Sequence, residues 1–599
     1  MVEPERTRAA ASTATGSRHR GRRRRLEDAG VAFGYLAVSA ALFLPPLAGH
    51  LTTRYLGMHA ANMGRTDPSI VMWSFQWWPH ALRAGIDPLF TAAVWAPTGT
   101  SLAWATTMPG AALIAWPVTS WLGPVASYNL WMLASPALAA FTAYLLCRHL
   151  TRARWPSVVG GVLFGFSSYE LAQMTAHLNL SLNFLVPLAV HLVVLRIERR
   201  LRAGWFVAAL AGLLVLQFSF STEVFLTLTM FGGLLLVAAF ALGSAELRRE
   251  LLRTAGWIVA AYAITAVVVA PYLLAAVSSP YPAQPLRAVL DHSTDAANLI
   301  VPTAVTALRC CAGVAGRFTA SIPEEGAYLG GAVVLVALFL ASAWRTFPGK
   351  LLGAAFAITV LLSLGPRLVV AGANTHVPLP WAALLHLPML RDALPSRFVV
   401  YLWLAVAVVA ALWLARPRRG RWWPRWVVVA LIVVSLFPNL PSSLWHANVD
   451  TPRFFAAGVY HRYLWRGENT IVIPYGPAGN SMLWQAQTGF FFRMAGGYVG
   501  CGVPEAFHRW STVRTLHGGA RTSAAAFHLR AFIAAKHVRA VIVSDGQFER
   551  WRWLLDKLAI RPVHAAGVWV YPISRQRFRQ FRRVPPAFHP GQAQGRVCA

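Results

Sequence analysis

Residues 65–85 read RTDPSIVMWSFQWWPHALRAG and follow the first long apolar segment of the chain. Proline is favoured in the first turn of a helix, and an aspartate just before it caps the free N–H groups there, so Asp67 and Pro68 indicate a helix start. Trp73 and Trp77 then recur one helical turn apart. The stretch predicts a helix that lies along the face of a membrane, with a carboxylate at its entrance.

The composition of the 599-residue chain is that of a polytopic membrane protein. Hydrophobic residues make up 56% and charged residues only 13%, and repeated apolar runs of about 20 residues are what a bilayer demands. The formal net charge is +32, but most arginines lie in short loops between apolar runs or in the tails, where membrane orientation explains them. The sequence contains no RNA- or DNA-binding motif, so we expect membrane lipids as partners and no nucleic acid.

The cysteines and motifs do not predict a metal site. The sequence has no HExxH, no CxxC pair, no P-loop and no GxGxxG. Five cysteines are too few for a disulfide framework. Cys310 and Cys311 are adjacent, so a bond between them would be strained, and either could pair with Cys501 if all three face an oxidising compartment.

Eleven apolar runs are expected to cross the membrane. These runs are 31–49, 128–147, 156–169, 178–195, 204–220, 222–242, 255–277, 326–344, 351–370, 398–415 and 427–444. A further run, 107–124, is expected to be re-entrant or interfacial, because Pro109, Pro117 and Gly123 suit a broken segment. Leaving it out also places five short loops with 17 Lys and Arg residues on the cytoplasmic side, as the positive-inside rule requires.

This topology divides the chain into four parts and places Asp67, Glu170 and His177 outside the cytoplasm. The parts are a disordered basic cytoplasmic tail at 1–30, a transmembrane domain at 31–444 with a long first outside loop at 50–127, an extracytoplasmic domain at 445–573, and a basic tail at 574–599.

The composition of the C-terminal part predicts a small α/β domain. ENTIVIPYG (468–476), VRAVIVSDG (538–546) and GVWVYPI (567–573) have the pattern of buried strands, and the first two open into glycine turns. Between them, 521–536 and 547–559 have the pattern of helices. The domain contains no nucleophile elbow and no phosphate loop.

Together with this layout, four segments resemble the GT-C superfamily of membrane glycosyltransferases, in a bacterial branch that carries a C-terminal extracytoplasmic domain. The segments are 66-TDPSIVMWSFQWWPHAL-82, 95-WAPTG-99, 105-ATTMPGAALIAWP-117 and 164-FGFSSYELAQMTAHLNL-180. The segment 387-LPMLRDALPSRF-398 also looks like a lipid-side loop of such proteins. The resemblance implies a GT-C-like fold and a polyprenyl-phosphate-linked sugar as donor, which is used on the outer face of the membrane.

The resemblance also implies roles for particular residues. In GT-C enzymes an acidic residue of the first outside loop is the general base, and Asp67 matches that position. A second acidic group comes from the next outside loop, where Glu170 is the candidate. Arg397 or Arg391 would hold the leaving phosphate, because the guanidinium fork matches phosphate oxygens. The further substrate-binding candidates are His177, Trp73 and Trp77.

Simpler structural explanations stand beside these roles. A carboxylate such as Asp67 stabilises a helix N-terminus whatever its function, and Arg397 could snorkel at a helix end. Glu324 and Glu325 are expected to open a helix at 326, and Glu223 to mark the turn between two spans. The first outside loop lacks a DxD motif, so no cofactor is assigned, and a divalent cation stays open.

Two other functions remain open at this level. A transporter or flippase of a lipid-linked intermediate would carry polar or charged residues in mid-span, whereas the acidic residues here cluster at the predicted outer boundary. A non-catalytic assembly factor for cell-envelope glycans would have no groove beside Asp67. The sugar, the acceptor and the oligomeric state do not follow from the sequence.

Overall fold

The structure is a computed structural model that describes residues 3–58, 67–279, 289–386, 393–417, 423–500, 502–519 and 521–586. Within these ranges seven helical segments are long and apolar enough to cross a membrane. They are Arg23–Phe43, Pro124–Thr151, Leu178–Ile197, Ala203–Phe220, Thr222–Leu242, Ala245–Val268 and Pro395–Ala415. At 1.5 Å per residue, 18 or more residues approach or exceed the roughly 30 Å of a hydrocarbon core, so the chain is a polytopic membrane protein.

The first helix, α1 (Glu3–Phe43), differs from the prediction at its start. Residues 1–30 were expected to be a disordered tail, whereas the helix begins at Glu3 and continues through the first span without a break. The tail contains many Ala and Arg residues and no Pro after residue 4, a composition with good intrinsic helix propensity. The basic tail is therefore a helical extension of the first span.

The first outside loop contains the predicted helix. After a short strand, β1 (Arg54–Tyr55), helix α2 runs over Asp67–Ala84, so it begins at the aspartate that the sequence singled out. A hairpin of β2 (Phe90–Thr91) and β3 (Thr100–Ser101) follows. The run 107–124 is broken into α3 (Pro109–Ile114) and α4 (Trp116–Leu122), which confirms that it is not one continuous helix.

The remaining helices of the membrane domain follow the loop. They are α5 (Pro124–Thr151), α6 (Arg154–Gly165), α7 (Ser168–Met174), α8 (Leu178–Ser181), α9 (Leu185–Ile197), α10 (Ala203–Phe220), α11 (Thr222–Leu242), α12 (Ala245–Val268), α13 (Ala270–Ser278), α14 (Ala312–Ala315), α15 (Ala332–Ala343), α16 (Phe347–Ser363), α17 (Trp381–Leu384), α18 (Val399–Ala415) and α19 (Trp423–Ser435). A hairpin of β4 (Arg367–Val370) and β5 (Ala373–Pro378) lies between α16 and α17.

Four of the eleven predicted spans correspond to short helices. Within the described residues these four helices, α6, α15, α16 and α19, have 12 to 17 residues. A helix of 12 residues is about 18 Å long, which is less than the thickness of a hydrocarbon core. The count of eleven spans therefore stays a prediction.

Helices α5, α6 and α18 pack together in the interior of the bundle. Gly165 of α6 lies so close to α5 that an added Cβ atom would be 2.3 Å from the Pro136 carbonyl oxygen. Most residues of α18 are buried, as expected of an apolar helix that other helices surround.

The two ends of the bundle carry different side chains. At one end the His149 Nε2 atom lies 3.0 Å from Glu198 Oε2, and the Arg199 Nε atom donates to Glu250 Oε2 at 3.0 Å. These contacts join the basic loops 148–155, 196–203 and 244–254. The side chains that form the candidate site meet elsewhere, around the start of α2.

The C-terminal part contains a five-stranded mixed sheet, and the predicted strands and helices are present in it. After β6 (Ala447–Asn448), which pairs with β1, the sheet has the order β10-β11-β9-β7-β8, with β8 at one edge. Its strands are β7 (Asn469–Ile473), β8 (Arg493–Met494), β9 (Ala540–Ser544), β10 (Val563–Ala565) and β11 (Val568–Pro572). The helices are α20 (Arg453–Ala456), α21 (Ser481–Gln487), α22 (Glu505–His508), α23 (Ser511–Gly518), α24 (Ala525–Ala535), α25 (Asp545–Leu555) and α26 (Arg575–Phe581).

Candidate functional site

The carboxylate of Asp67 lies at the first residue of α2 and receives hydrogen bonds from two distant parts of the chain. The His177 Nε2 atom is 3.1 Å from its Oδ2 atom, and the Tyr498 hydroxyl donates to Oδ1 at 3.2 Å. The Asp67 side chain is 13% exposed, so solvent or a substrate still reaches it. Because the helix N-terminus favours negative charge, all three neighbours stabilise the ionised carboxylate.

The second nitrogen of His177 also faces oxygen atoms. Its Nδ1 atom is 3.1 Å from Gln173 Oε1 and 3.9 Å from Glu324 Oε1. The Gln173 amide is oriented by a bond of 2.8 Å from its Nε2 atom to the Pro323 carbonyl, which leaves Oε1 to face the ring. Each ring nitrogen of His177 thus has a side-chain oxygen within 3.1 Å.

Behind His177 the chain of polar contacts continues through Glu324 to Arg397. The Glu324 Oε2 atom accepts hydrogen bonds of 2.6 Å from Ser396 Oγ and from an Arg397 guanidinium nitrogen. Arg397 Nε lies 3.3 Å from a carboxylate oxygen of Glu223. Burial, the largest single influence, would raise the pKa of Glu324, but Arg397, His292, His177 and the Ser396 hydrogen bond together lower this pKa to about 2.

Close backbone packing brings these segments together. Ser168 at the start of α7 donates to the carbonyls of Gly326 and Tyr328, at 2.7 and 2.8 Å. A Cβ atom on Gly326 would lie 2.8 Å from Tyr169 Cα, so only glycine permits this approach. The turn Ile322–Glu324 is thereby held against α7, which places Glu324 beside His177.

The first outside loop is fixed to the same region at Met58. The Met58 amide donates to the Thr175 carbonyl at 2.7 Å. Its neighbour Gly57 has φ +138°, a conformation that favours glycine, and an added Cβ atom would lie 2.8 Å from the Thr175 oxygen. Thr175 lies two residues before His177. The contact therefore anchors the loop that carries Asp67 next to the segment that carries His177.

Glu170, the second predicted catalytic carboxyl, has different partners. It is completely buried in α7, and its Oε2 atom accepts a hydrogen bond of 2.6 Å from Asn183. Burial raises the pKa of Glu170 to about 8, although hydrogen bonds from Asn183 and Ser135 act in the opposite direction. The structure therefore places Glu170 outside the chain of contacts that begins at Asp67.

Trp73 and Trp77 lie inside the protein. Their rings stack with centroids 5.3 Å apart, and Phe490 of the C-terminal part packs edge-on against both. The Trp73 indole nitrogen donates to Gln485 Oε1 at 3.1 Å, and that of Trp77 to the Pro88 carbonyl at 3.0 Å. These contacts assign both rings to the junction between α2 and residues 485–490 of the C-terminal part.

The structure thus brings together three of the predicted site residues: Asp67, His177 and Arg397. Arg391 and Cys501 lie outside the described residues, and Cys310 and Cys311 are free thiols whose sulfur atoms are 3.5 Å apart.

Sequence reasoning missed Glu324, Gln173 and Tyr498 as members of the site. Glu324 was expected to open a helix at 326, but α15 begins at Ala332. Gly330, with φ +53°, interrupts the backbone before that helix. The sequence shows Glu324 and Arg397 in two different predicted outside loops, but it does not indicate that these two residues pair.

The described residues do not form a cluster of metal ligands. Across the part of the chain that the structure describes, no three His, Cys, Asp or Glu side chains come together as metal ligands do. Of the two Glu324 oxygens, Oε2 is occupied by Arg397 and Ser396, and Oε1 lies 3.9 Å from His177 Nδ1. We therefore assign no step to a divalent cation.

Comparisons with known proteins place this geometry on a known fold. A family model described as "Domain of unknown function (DUF6311)" matches residues 35–437, and the chain belongs to that family. No curated protein matches the chain.

Several solved structures of membrane glycosyltransferases are similar to the chain. Arabinofuranosyltransferase AftD from Mycobacteria is 13% identical, with a TM-score of 0.52 over 92% of this chain and 40% of AftD. ArnT from Cupriavidus metallidurans, bound to undecaprenyl phosphate, is 11% identical, with a TM-score of 0.50 over 92% of this chain and 98% of ArnT. The oligosaccharyltransferase of Archaeoglobus fulgidus is 12% identical, with a TM-score of 0.47 over 92% and 74%. The chain has the GT-C fold.

Proposed function

We propose that this member of the DUF6311 family is an inverting membrane glycosyltransferase, which moves a sugar from a polyprenyl-phosphate-linked donor to an extracytoplasmic glycan, lipid or protein acceptor. The observation that carries the proposal is the partly exposed Asp67 carboxylate, held by His177 at the start of α2 on a GT-C fold. The undecaprenyl phosphate bound to ArnT supports a polyprenyl phosphate as the donor carrier.

Asp67 is the general base in the proposed reaction. An acceptor hydroxyl attacks the anomeric carbon of the donor, the bond from that carbon to the phosphate oxygen breaks, and the phosphate leaves with the electron pair. The hydroxyl proton moves to Asp67, which accepts it as the new glycosidic bond forms. His177 contacts Asp67 Oδ2, and the Tyr498 hydroxyl contacts Asp67 Oδ1.

Arg397 acts through Glu324 in this proposal. Its guanidinium group is 2% exposed and already contacts two carboxylates, so a lipid phosphate would have to compete with Glu324 and Glu223 for it. We therefore assign Arg397 to holding Glu324 ionised beside His177. Arg391 keeps the phosphate-binding role that its sequence position predicts, and Glu170 is left without a direct role in proton transfer.

The proposal places the site outside the cytoplasm, in a bacterial protein with eleven spans and an extracytoplasmic domain at 445–573. The contacts among the basic loops 148–155, 196–203 and 244–254 support this orientation, because they gather arginines at one end of the bundle. The N-terminus then lies in the cytoplasm.

The test is the substitution Asp67→Asn in membranes that are supplied with a panel of polyprenyl-phosphate-linked hexoses and pentoses. Because Asn cannot accept the proton, transfer of labelled sugar should fall by about 100-fold or more. Asp87→Asn is the matched control, since Asp87 is an exposed carboxylate in the same loop. Undiminished transfer by Asp67→Asn would refute Asp67 as the base, and wild-type membranes that transfer none of the panel would favour a flippase or an assembly factor.

A further inference from the structure

A segment of the first outside loop is added to the edge of the C-terminal sheet. The Met494 amide donates to the Ala93 carbonyl at 2.8 Å, the Ala96 amide to the Met494 carbonyl at 2.9 Å, and the Trp95 amide to the Gly496 carbonyl at 3.0 Å. Since β8 is the edge strand, residues 93–96 take the place of a further strand. An edge of unpaired backbone groups is a common docking surface for an extended segment.

Side chains reinforce this backbone pairing. The Asn469 side chain donates to the Ala96 carbonyl at 3.0 Å, and Gln485 to the Ala93 carbonyl at 2.7 Å. A Cβ atom on Gly497 would lie 2.7 Å from Val94 Cβ, so glycine is required for the two segments to approach. These contacts therefore fix which residues of 93–96 lie opposite which residues of 494–497.

The pairing places Tyr498 on the catalytic carboxylate. Tyr498 comes one residue after Gly497, is 6% exposed, and donates its hydroxyl to Asp67 Oδ1. The two oxygens of Asp67 thus receive donors from two different units, His177 from the membrane domain and Tyr498 from the C-terminal part.

We infer that Tyr498 is a positioning residue for Asp67, and that the C-terminal part is required to complete the active site. This inference rests on the proposed function of Asp67. A hydroxyl that donates to Oδ1 fixes the rotation of the carboxylate towards the acceptor and favours its ionised form. The strand addition at 93–96 then has a functional consequence, because it sets the position of Tyr498 relative to α2.

The inference predicts a change in the acid side of the pH–rate profile. Among the described residues, the titratable groups that face Asp67 are His177, Tyr498 and Tyr128, with Glu324 behind His177. Tyr498→Phe removes one donor to the ionised Asp67, so protonation of this carboxylate becomes easier. Transfer should therefore fall at a higher pH than in the wild type, by about one pH unit, and kcat should drop about tenfold.

Tyr475→Phe is the matched control for this experiment. Tyr475 is a buried tyrosine of the same C-terminal part, and its hydroxyl donates to the Ala495 carbonyl at 2.8 Å. Loss of that bond should leave the pH profile of transfer unchanged. If Tyr498→Phe keeps the wild-type pH profile while Asp67→Asn abolishes transfer in the same assay, the inference about Tyr498 is wrong. The proposed function of Asp67 then still stands.

A second measurement tests the contact without any transfer assay. In a double-mutant cycle of Asp67→Ala and Tyr498→Phe, the thermal unfolding of the detergent-solubilised protein reports whether the two side chains interact. The double variant should melt no lower than the less stable of the two single variants. Additive losses of melting temperature would overturn the contact between Tyr498 and Asp67, whatever reaction the protein catalyses.

Discussion

The turn Ile322–Glu324 and helix α7 each bury a glutamate completely, and the two carboxyls differ in charge. Glu324 contacts Arg397 and Ser396, and its pKa is held well below its usual range. Glu170 has Asn183 as its neighbour, and burial raises its pKa to about 8. A buried carboxylate stays ionised only where a cation offsets the cost of desolvation. Glu324, the ionised glutamate, lies beside His177, which in turn contacts Asp67.

The largest loss of stability expected from a substitution comes from neutralising Glu324. Glu324→Gln leaves the buried Arg397 with Glu223, which is 33% exposed, as its remaining carboxylate in the described part of the site. Breaking a buried ion pair from one side costs about 3–5 kcal/mol, and Glu223 offsets part of this, so we expect a loss of about 3 kcal/mol in the free energy of unfolding. Chemical or thermal unfolding of the solubilised protein measures it.

The control for Glu324 is a glutamate whose two arginine partners are exposed. Glu250 contacts Arg199 and Arg253 at the other group of loops, where water screens the charges. Glu250→Gln should lower the melting temperature far less than Glu324→Gln does. Equal losses in the two variants would show that the Glu324–Arg397 pair is as weak as a surface pair, and the contrast with Glu170 would then disappear.

The next effect concerns Glu170 and depends on pH. Its pKa rises from an ordinary value of 4.5 to about 8 in the folded protein, so the folded state binds the proton more tightly than the unfolded state. The wild type should therefore lose stability as the pH rises from about 5 to 8. Glu170→Gln does not titrate and should be more stable than the wild type at pH 8, by about 4 kcal/mol, and nearly equal to it at pH 5.

Melting temperatures between pH 5 and 8 check this prediction, with Glu505→Gln as the control. The Glu505 side chain is 78% exposed, so its substitution should leave the wild-type pH dependence intact. If the melting temperature of Glu170→Gln fell with rising pH as steeply as that of the wild type, the Glu170 carboxyl would not be the protonated one of the two buried glutamates.

The sequence predicts the local part of this arrangement well. Helix α2 lies where the Asp-Pro pair predicts a helix, a signal contained in adjacent residues. The three quoted C-terminal strands are present for the same reason, since short buried strands have a clear apolar pattern.

The partners of the charged groups could not be predicted, because they are distant in the sequence. Glu324 and Arg397 are 73 positions apart, and Asp67 and Tyr498 are 431 positions apart. No periodicity within one element reports such a contact. Only the packing of α7 against the turn at Glu324, and of 93–96 against β8, decides which polar side chains meet.

The smallest expected effect isolates the hydroxyl that supports Glu324. Ser396 donates to Glu324 Oε2 at 2.6 Å, whereas the equally buried Ser363 donates to the Val360 carbonyl of its own helix at 2.9 Å. A hydrogen bond to a charged group contributes about 1.5–3 kcal/mol and one between neutral groups about 1 kcal/mol. Because Arg397 still neutralises Glu324, Ser396→Ala should lower the free energy of unfolding by about 1.5 kcal/mol, and Ser363→Ala by less. Equal losses, measured by chemical unfolding, would mean that Glu324 is not ionised in the folded protein.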